Sequence, residues 1–185
     1  MILLTLLSLI IVLLITIAPS FVRTDVSSFT LNQKLNLDKV LDANKSIELV
    51  FFGYSGCIDV CTPRLKKIAS WYKNSQNRDK IQIRFLDISQ PHEKDLPDRF
   101  AKSFHKESIG VYLNRQELRE YTKAFNVYFS KALFDEYEYD HTTNIYILNK
   151  KRDETKVLKH IYTSYPYSFN EIELDIEEIT RKTYE

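Results

Sequence analysis

The sequence predicts an α/β domain whose central mixed sheet is flanked by helices, with a hydrophobic helix ahead of it. Three observations carry that expectation. "IELVFFGY" (47–54) is an apolar run that reaches a glycine; "TPRLKKIASWYKNSQ" (62–76) follows it at helical spacing; "TNIYILNK" and "TKVLKHIY" flank "KRDE" as a late pair of strands. A strand that is apolar on both faces belongs inside a sheet covered on both sides, which is where parallel neighbours are found.

The elements follow in order. Residues 2–18, "ILLTLLSLIIVLLITIA", carry no charge, and Arg23 is the first basic side chain. At about 1.5 Å per residue such a helix spans roughly 26 Å, close to a ~30 Å hydrocarbon core, and no amphipathic face marks it as part of a soluble core. Residues 1–22 are therefore expected to be a membrane anchor or signal segment, and 23–185 the folded domain. Either way the domain crosses a membrane into the periplasm or an equivalent extracytoplasmic space. Anchoring is the first expectation, and cleavage near "Ala-Pro-Ser" (18–20) with secretion is the alternative. No cysteine ends the apolar run, so the usual lipoprotein anchor is not offered.

Residues 47–54 are expected as a central parallel strand, and residues 62–76 as a helix with Leu65, Ile68, Ala69 and Tyr72 on one face and Pro63 near its first turn. "IQIRFLDI" (81–88) reads as a second strand. "DLPDRFAKSFH" and "RQELREYTKAFNV" read as helices around a short strand, "IGVYL" (109–113). The late hairpin comes next, and "SFNEIELDIEEITRKTY" closes the chain as an amphipathic helix on which Ser168 and Glu171 have the spacing of a capping box. This β-α-β-α-β-α-β-β-α order is that of a thioredoxin-like domain. About 160 residues suffice for one such domain with a real core. With 26 basic and 25 acidic side chains the net charge is +1, so neither nucleic acid nor an anionic lipid surface finds an electrostatic footprint.

Chemistry concentrates in "FFGYSGCIDVC" (51–61), which holds both cysteines, Cys57 and Cys61. Residues four apart at a helix start face the same way, so both sulfurs reach one point. Free N–H groups and the helix dipole there favour the thiolate, making the two a candidate redox-active pair. A purely structural disulfide would close a loop of about five residues and contribute only about 2 kcal/mol. His141 precedes a strand expected to run antiparallel to the central one, so it starts beside the end of 47–54 and near the thiols. Of the other histidines, His92 and His105 sit in or beside helices among charged residues, and His160 is expected in an exposed hairpin strand. Two thiolates and an imidazole suit Cu(I), and Cu(II) if a further weak donor joins. A closed zinc site would need a fourth ligand.

"FFGYSGCIDVCTPRL" resembles the copper-site segment of the Sco/SenC family, thioredoxin-like proteins that deliver copper to cytochrome c oxidase. Phe52, Gly53, Tyr54, Cys57, Asp59, Val60, Cys61 and Leu65 fall into its register. "DHTTNIYILNK" supplies Asp140, His141 and Thr142 where the family carries its distal histidine, and "SIGVYLNRQELREYTKAFNVYFSK" is similar to the segment between. The resemblance implies Cys57, Cys61 and His141 as copper ligands. It also implies, as partner, the copper-accepting subunit of a cytochrome oxidase or similar cuproprotein. Ile58 and Thr62 stand where the family usually has proline, Pro63 comes one position late, and Asp87 and Asp95 in "LDISQPHEKDLP" lie further apart than the family pattern. These departures bear on the loop shape and partner docking more than on the ligand set. Three readings stay open: a copper-binding assembly factor, a membrane-tethered thiol-disulfide oxidoreductase acting on a partner cuproprotein, and a binding module with a structural disulfide. His141 separates the first two, since dithiol exchange does not require it.

Overall fold

A computed structural model describes residues 28–40, 45–133 and 138–184. The apolar run at 2–18 lies outside these. Among the described residues no helix is long and apolar enough to cross a membrane.

The central run forms β2 (Ile47–Gly53), buried at every residue, and its parallel neighbour β3 (Ile81–Asp87) is buried at every residue too. Strand order is β1-β8-β7-β2-β3-β4, with β1 (Ser28–Leu35), β4 (Ile109–Tyr112), β7 (Ile145–Lys150) and β8 (Lys156–Tyr162). β2, β3 and β4 run parallel, while β7, β8 and β1 are antiparallel to their neighbours. The sheet is thus mixed, as expected, with β2 at its centre.

Helices cover both faces. α1 (Cys61–Asn74) buries Leu65, Ile68, Ala69 and Tyr72, the face its spacing predicts. On the same side lie α2 (Leu96–Phe104), whose Phe100 ring meets Phe85 at 5.2 Å, and α4 (Phe169–Tyr184), where Phe169 stacks on Trp71 at 5.6 Å. Gly110 allows α2 to lie close on β4: a Cβ there would stand 1.9 Å from the Pro97 carbonyl oxygen. α3 (Arg115–Phe125) covers the opposite face, and its Phe125 meets Phe52 and Tyr146 edge-on at 5.2 and 5.1 Å. The capping box that the structure displays belongs to α3, where Asn114 accepts from the Glu117 amide and Glu117 returns the bond. At the closing helix, Glu171 instead takes the Ser28 hydroxyl.

Two features depart from the sequence expectation. Residues 28–35 form a full edge strand, β1, on β8. That strand corrects the placement of His160: β8 is flanked on both sides, and His160 is 8% exposed, its Nδ1 3.4 Å from both Thr30 Oγ1 and Asp175 Oδ2. A separate two-stranded ribbon, β5 (Phe129–Lys131) with β6 (Tyr139–His141), also stands apart from the main sheet.

Candidate metal centre

The centre forms where β2 ends. Gly53 is its last residue, and a Cβ there would come within 2.8 Å of the Cys61 sulfur and 2.9 Å of the Phe85 ring. Only hydrogen fits that gap, so the thiol can press against bare backbone. The next turn is fastened by Asp87 at the end of β3, fully buried, whose carboxylate accepts from the Ser55 amide (2.8 Å) and hydroxyl (2.5 Å) and from both donors of Ser89. Gly56, at φ +96°, completes the turn in the left-handed region. Cys57 then stands in the loop and Cys61 opens α1, both as free thiols, at 2% and 0% exposure.

α1 has no side-chain cap and no acid in its first turn; the Cys61 N–H instead donates to Cys57 Sγ at 3.1 Å. The sulfur therefore takes an amide the helix would leave unpaired, and it is stabilised as thiolate by doing so. The two thiols are driven in opposite directions. A hydrogen bond from the Cys61 thiol draws Cys57 well below the ordinary thiol range, helped by the Cys61 amide against the cost of burial. Supplying that bond, together with burial, pushes Cys61 up.

His141 arrives from the other side, at the end of β6. Its Nδ1 lies 3.0 Å from the Thr142 carbonyl oxygen, which can only accept, so Nδ1 carries the proton and the Nε2 lone pair faces the sulfurs. Nε2 is 3.4 Å from Cys61 Sγ. The donor atoms of Cys57, Cys61 and His141 all lie within 4.8 Å of one another. Bonds of roughly 2.0–2.3 Å, the lengths seen for a first-row ion such as zinc, place three trigonal donors roughly 3.5–4 Å apart, so these donors suit an ion with little adjustment. Two soft sulfurs and one nitrogen, without a fourth protein donor among the described residues, favour copper over a closed zinc site.

The structure thus brings the three sequence-derived candidates together and leaves His92, His105 and His160 elsewhere. A groove lined by Thr30, Asn149, His160 and Asp175 among others also lies away from these three residues. The centre is a place for an ion between side chains rather than a pocket for an organic molecule. Sequence reasoning missed the support behind it. Tyr54, 4% exposed, donates its hydroxyl to the Glu138 carboxylate and sets its ring edge-on to His141 (5.9 Å) and beside Tyr139 (5.3 Å). No spacing rule connects residues 84 positions apart.

The SCO1/SenC family model matches residues 23–173. An SCO2-like protein of Rickettsia conorii is 28% identical over 124 residues, which are 63% of this chain and 58% of that protein. The chain thus spans less than two thirds of that relative's length. Among solved structures, copper-bound ScoI of Arabidopsis thaliana superposes with a TM-score of 0.61 at 18% identity, over 74% of this chain and 85% of that one. BsSco, a member of the Sco family of cytochrome c oxidase assembly proteins described with a disulfide switch, superposes at 0.55 and 14%, over 84% and 95%. These likenesses extend to the thioredoxin-like fold.

Proposed function

Because the chain belongs to the SCO1/SenC family, we propose that it takes up copper on Cys57, Cys61 and His141 and passes it to a partner's copper site during assembly of a cytochrome oxidase. The observation that carries this reading is the convergence of two thiols from the strand–helix junction with an imidazole from the β5–β6 ribbon. Copper here is cargo. Cys57 offers a thiolate ready to receive it, Cys61 surrenders its proton as the second sulfur engages, and the His141 Nε2 lone pair closes the third side. Delivery reverses the order: an incoming donor replaces the imidazole, and the sulfurs then exchange. The copper-bound relatives support the cargo, and the soft donor set supports it independently.

Residues 1–22 act in this proposal as the membrane anchor or signal segment and 23–185 as the copper-handling domain, held in the periplasm or an equivalent space. The acceptor is the copper-binding subunit of a cytochrome oxidase or a similar cuproprotein.

The thiolate–thiol asymmetry favours a second reading. Cys57 would attack a partner disulfide, Cys61 would then release the mixed disulfide, and the pair would end oxidised as the partner is reduced by two electrons. A parallel assay separates the two. His141→Ala should weaken copper binding and leave disulfide reduction intact, whereas Cys57→Ser abolishes disulfide reduction and weakens copper binding still further. Efficient disulfide reduction by the parent chain, with copper affinity untouched by His141→Ala, would remove copper delivery and leave the oxidoreductase.

A further inference from the structure

The sulfurs of the centre are set by the main sheet and α1, but its imidazole hangs on a ribbon of two three-residue strands outside that sheet. Within the ribbon, the Thr142 amide bonds the Tyr128 carbonyl at 2.9 Å and the Ala132 amide bonds the Glu138 carbonyl at 2.9 Å. These bonds shape the ribbon without tying it to the thiols. Tyr54 does tie it. Its backbone belongs to the thiol side: it follows Gly53 directly, and its carbonyl accepts the Cys57 amide at 3.1 Å. Its side chain belongs to the imidazole side, meeting Glu138, Tyr139 and His141 in one short segment. A buried phenol bonded to an ionised carboxylate is a charge-assisted contact, stronger and more directional than a neutral one.

We propose that Tyr54 and Glu138 form a latch that holds the β5–β6 ribbon over the thiols, making Tyr54 a positioning residue that fixes where His141 stands. The role rests on the copper-binding reading of Cys57, Cys61 and His141. Tyr54 touches the imidazole by its ring edge, which leaves Nε2 free for the ion. Its hydroxyl acts further out, on Glu138, the residue just before the strand that carries the histidine.

Tyr54→Phe removes the hydroxyl and keeps the ring packing. The full-length chain in detergent is compared as parent, Tyr54→Phe, Glu138→Ala, Glu138→Gln, His141→Ala and the Tyr54→Phe/His141→Ala double variant. Copper-free hydrogen exchange is the first measurement: Tyr54→Phe and Glu138→Ala should speed exchange at Thr142 and Ala132 severalfold while β2 and β3 stay unchanged, because local opening is set by local contacts. Glu138→Gln keeps an acceptor oxygen and should restore most of the protection. Copper affinity, read by competition with a chromophoric chelator, is the second. Tyr54→Phe should weaken it about tenfold, as loss of a ligand's outer partner does, and should shift the sulfur-to-Cu(II) charge-transfer band. In the His141→Ala background the same change should have little further effect. Unaltered ribbon exchange in Tyr54→Phe overturns the latch whatever the metal does. An equal loss of affinity in both backgrounds also overturns it, since Tyr54 would then act on the sulfurs and not through His141. Copper affinity that ignores His141→Ala sinks the copper reading itself and leaves the latch to be judged by exchange alone.

Discussion

The two halves of the centre are built in different ways. The thiol half grows from the most buried part of the molecule: β2 and β3 are buried throughout, Asp87 fastens the turn after β2 with two hydrogen bonds from Ser55 and holds Ser89 with two more, and Gly53 lets the Cys61 sulfur rest on backbone. The imidazole half is a short ribbon on which His141 is half-buried and both Glu138 and Asp140 are exposed. A protein that stores an ion permanently would gain by burying all its ligands in the rigid part. One rigid half and one peripheral half suit an ion that arrives and leaves, with the departing ligand on the loosely built side.

That comparison orders the effects of ligand loss. Metal binding by thiolate and imidazole sites is worth ~10–16 kcal/mol in zinc-finger peptides, or roughly 3–5 kcal/mol per donor over three or four donors. Cys57→Ser or Cys61→Ser should therefore lower copper affinity a hundredfold to several thousandfold, measured by chelator competition under reducing conditions. His141→Ala should cost less, about ten- to a hundredfold, because a soft ion keeps both sulfurs and loses only its harder donor. His92→Ala, His105→Ala and His160→Ala should leave affinity where it was. A loss in His141→Ala equal to that in the cysteine variants would break the distinction between the halves.

Gly53→Ala sharpens it from the rigid side. The added methyl meets the Cys61 sulfur and the Phe85 ring inside normal contact distance, and both neighbours are buried. Overpacking of that kind costs about 1–3 kcal/mol. It should lower the melting temperature and weaken copper binding together, since the displaced atom is a ligand. Gly53→Ala without a change in melting temperature would mean that the thiol half gives as easily as the ribbon.

The same division decides what could be read from the sequence. The run at 47–53, the helix face of Leu65, Ile68, Ala69 and Tyr72, and the β7–β8 hairpin were all legible, because core burial writes itself as hydrophobic period. The thiol pair and the antiparallel strand that brings His141 near it were legible for the same reason. β1 was not: "SFTLNQKL" is exposed along most of its length and carries little apolar alternation, since it covers an edge and sends only Leu35 into the core, with Leu31 half-buried against it. With β1 unseen, His160 looked exposed, although Thr30 and Asp175 enclose it. Strands β5 and β6, at three residues each, are too short and polar to show a period, and the Tyr54–Glu138 bond spans 84 positions with no local trace. The predictable part of the centre is the part the core builds.

The smallest effect concerns the protonation of the thiols. Cys57 is held below the ordinary thiol range and Cys61 above it, so near neutral pH the metal-free pair carries one proton, on Cys61. Copper needs both sulfurs as thiolates and must expel that proton. Affinity should then rise tenfold for each unit of pH gained, about 1.4 kcal/mol per unit, across roughly pH 6 to 8. The sign follows from mass action: lowering the pH supplies the proton that competes with the metal for Cys61. Two ordinary, independent thiols would release two protons and give a hundredfold per unit over the same range, and a fully ionised pair would give none. Competition titrations at three pH values, with the chelator's own protonation accounted for, measure the slope. Repeating them in His141→Ala removes any part contributed by the imidazole and leaves that of the thiols alone. A slope near two in that variant would show that the Cys61 amide and thiol do not hold Cys57 as a thiolate, and the rigid half would then offer copper two protonated sulfurs instead of one prepared ligand.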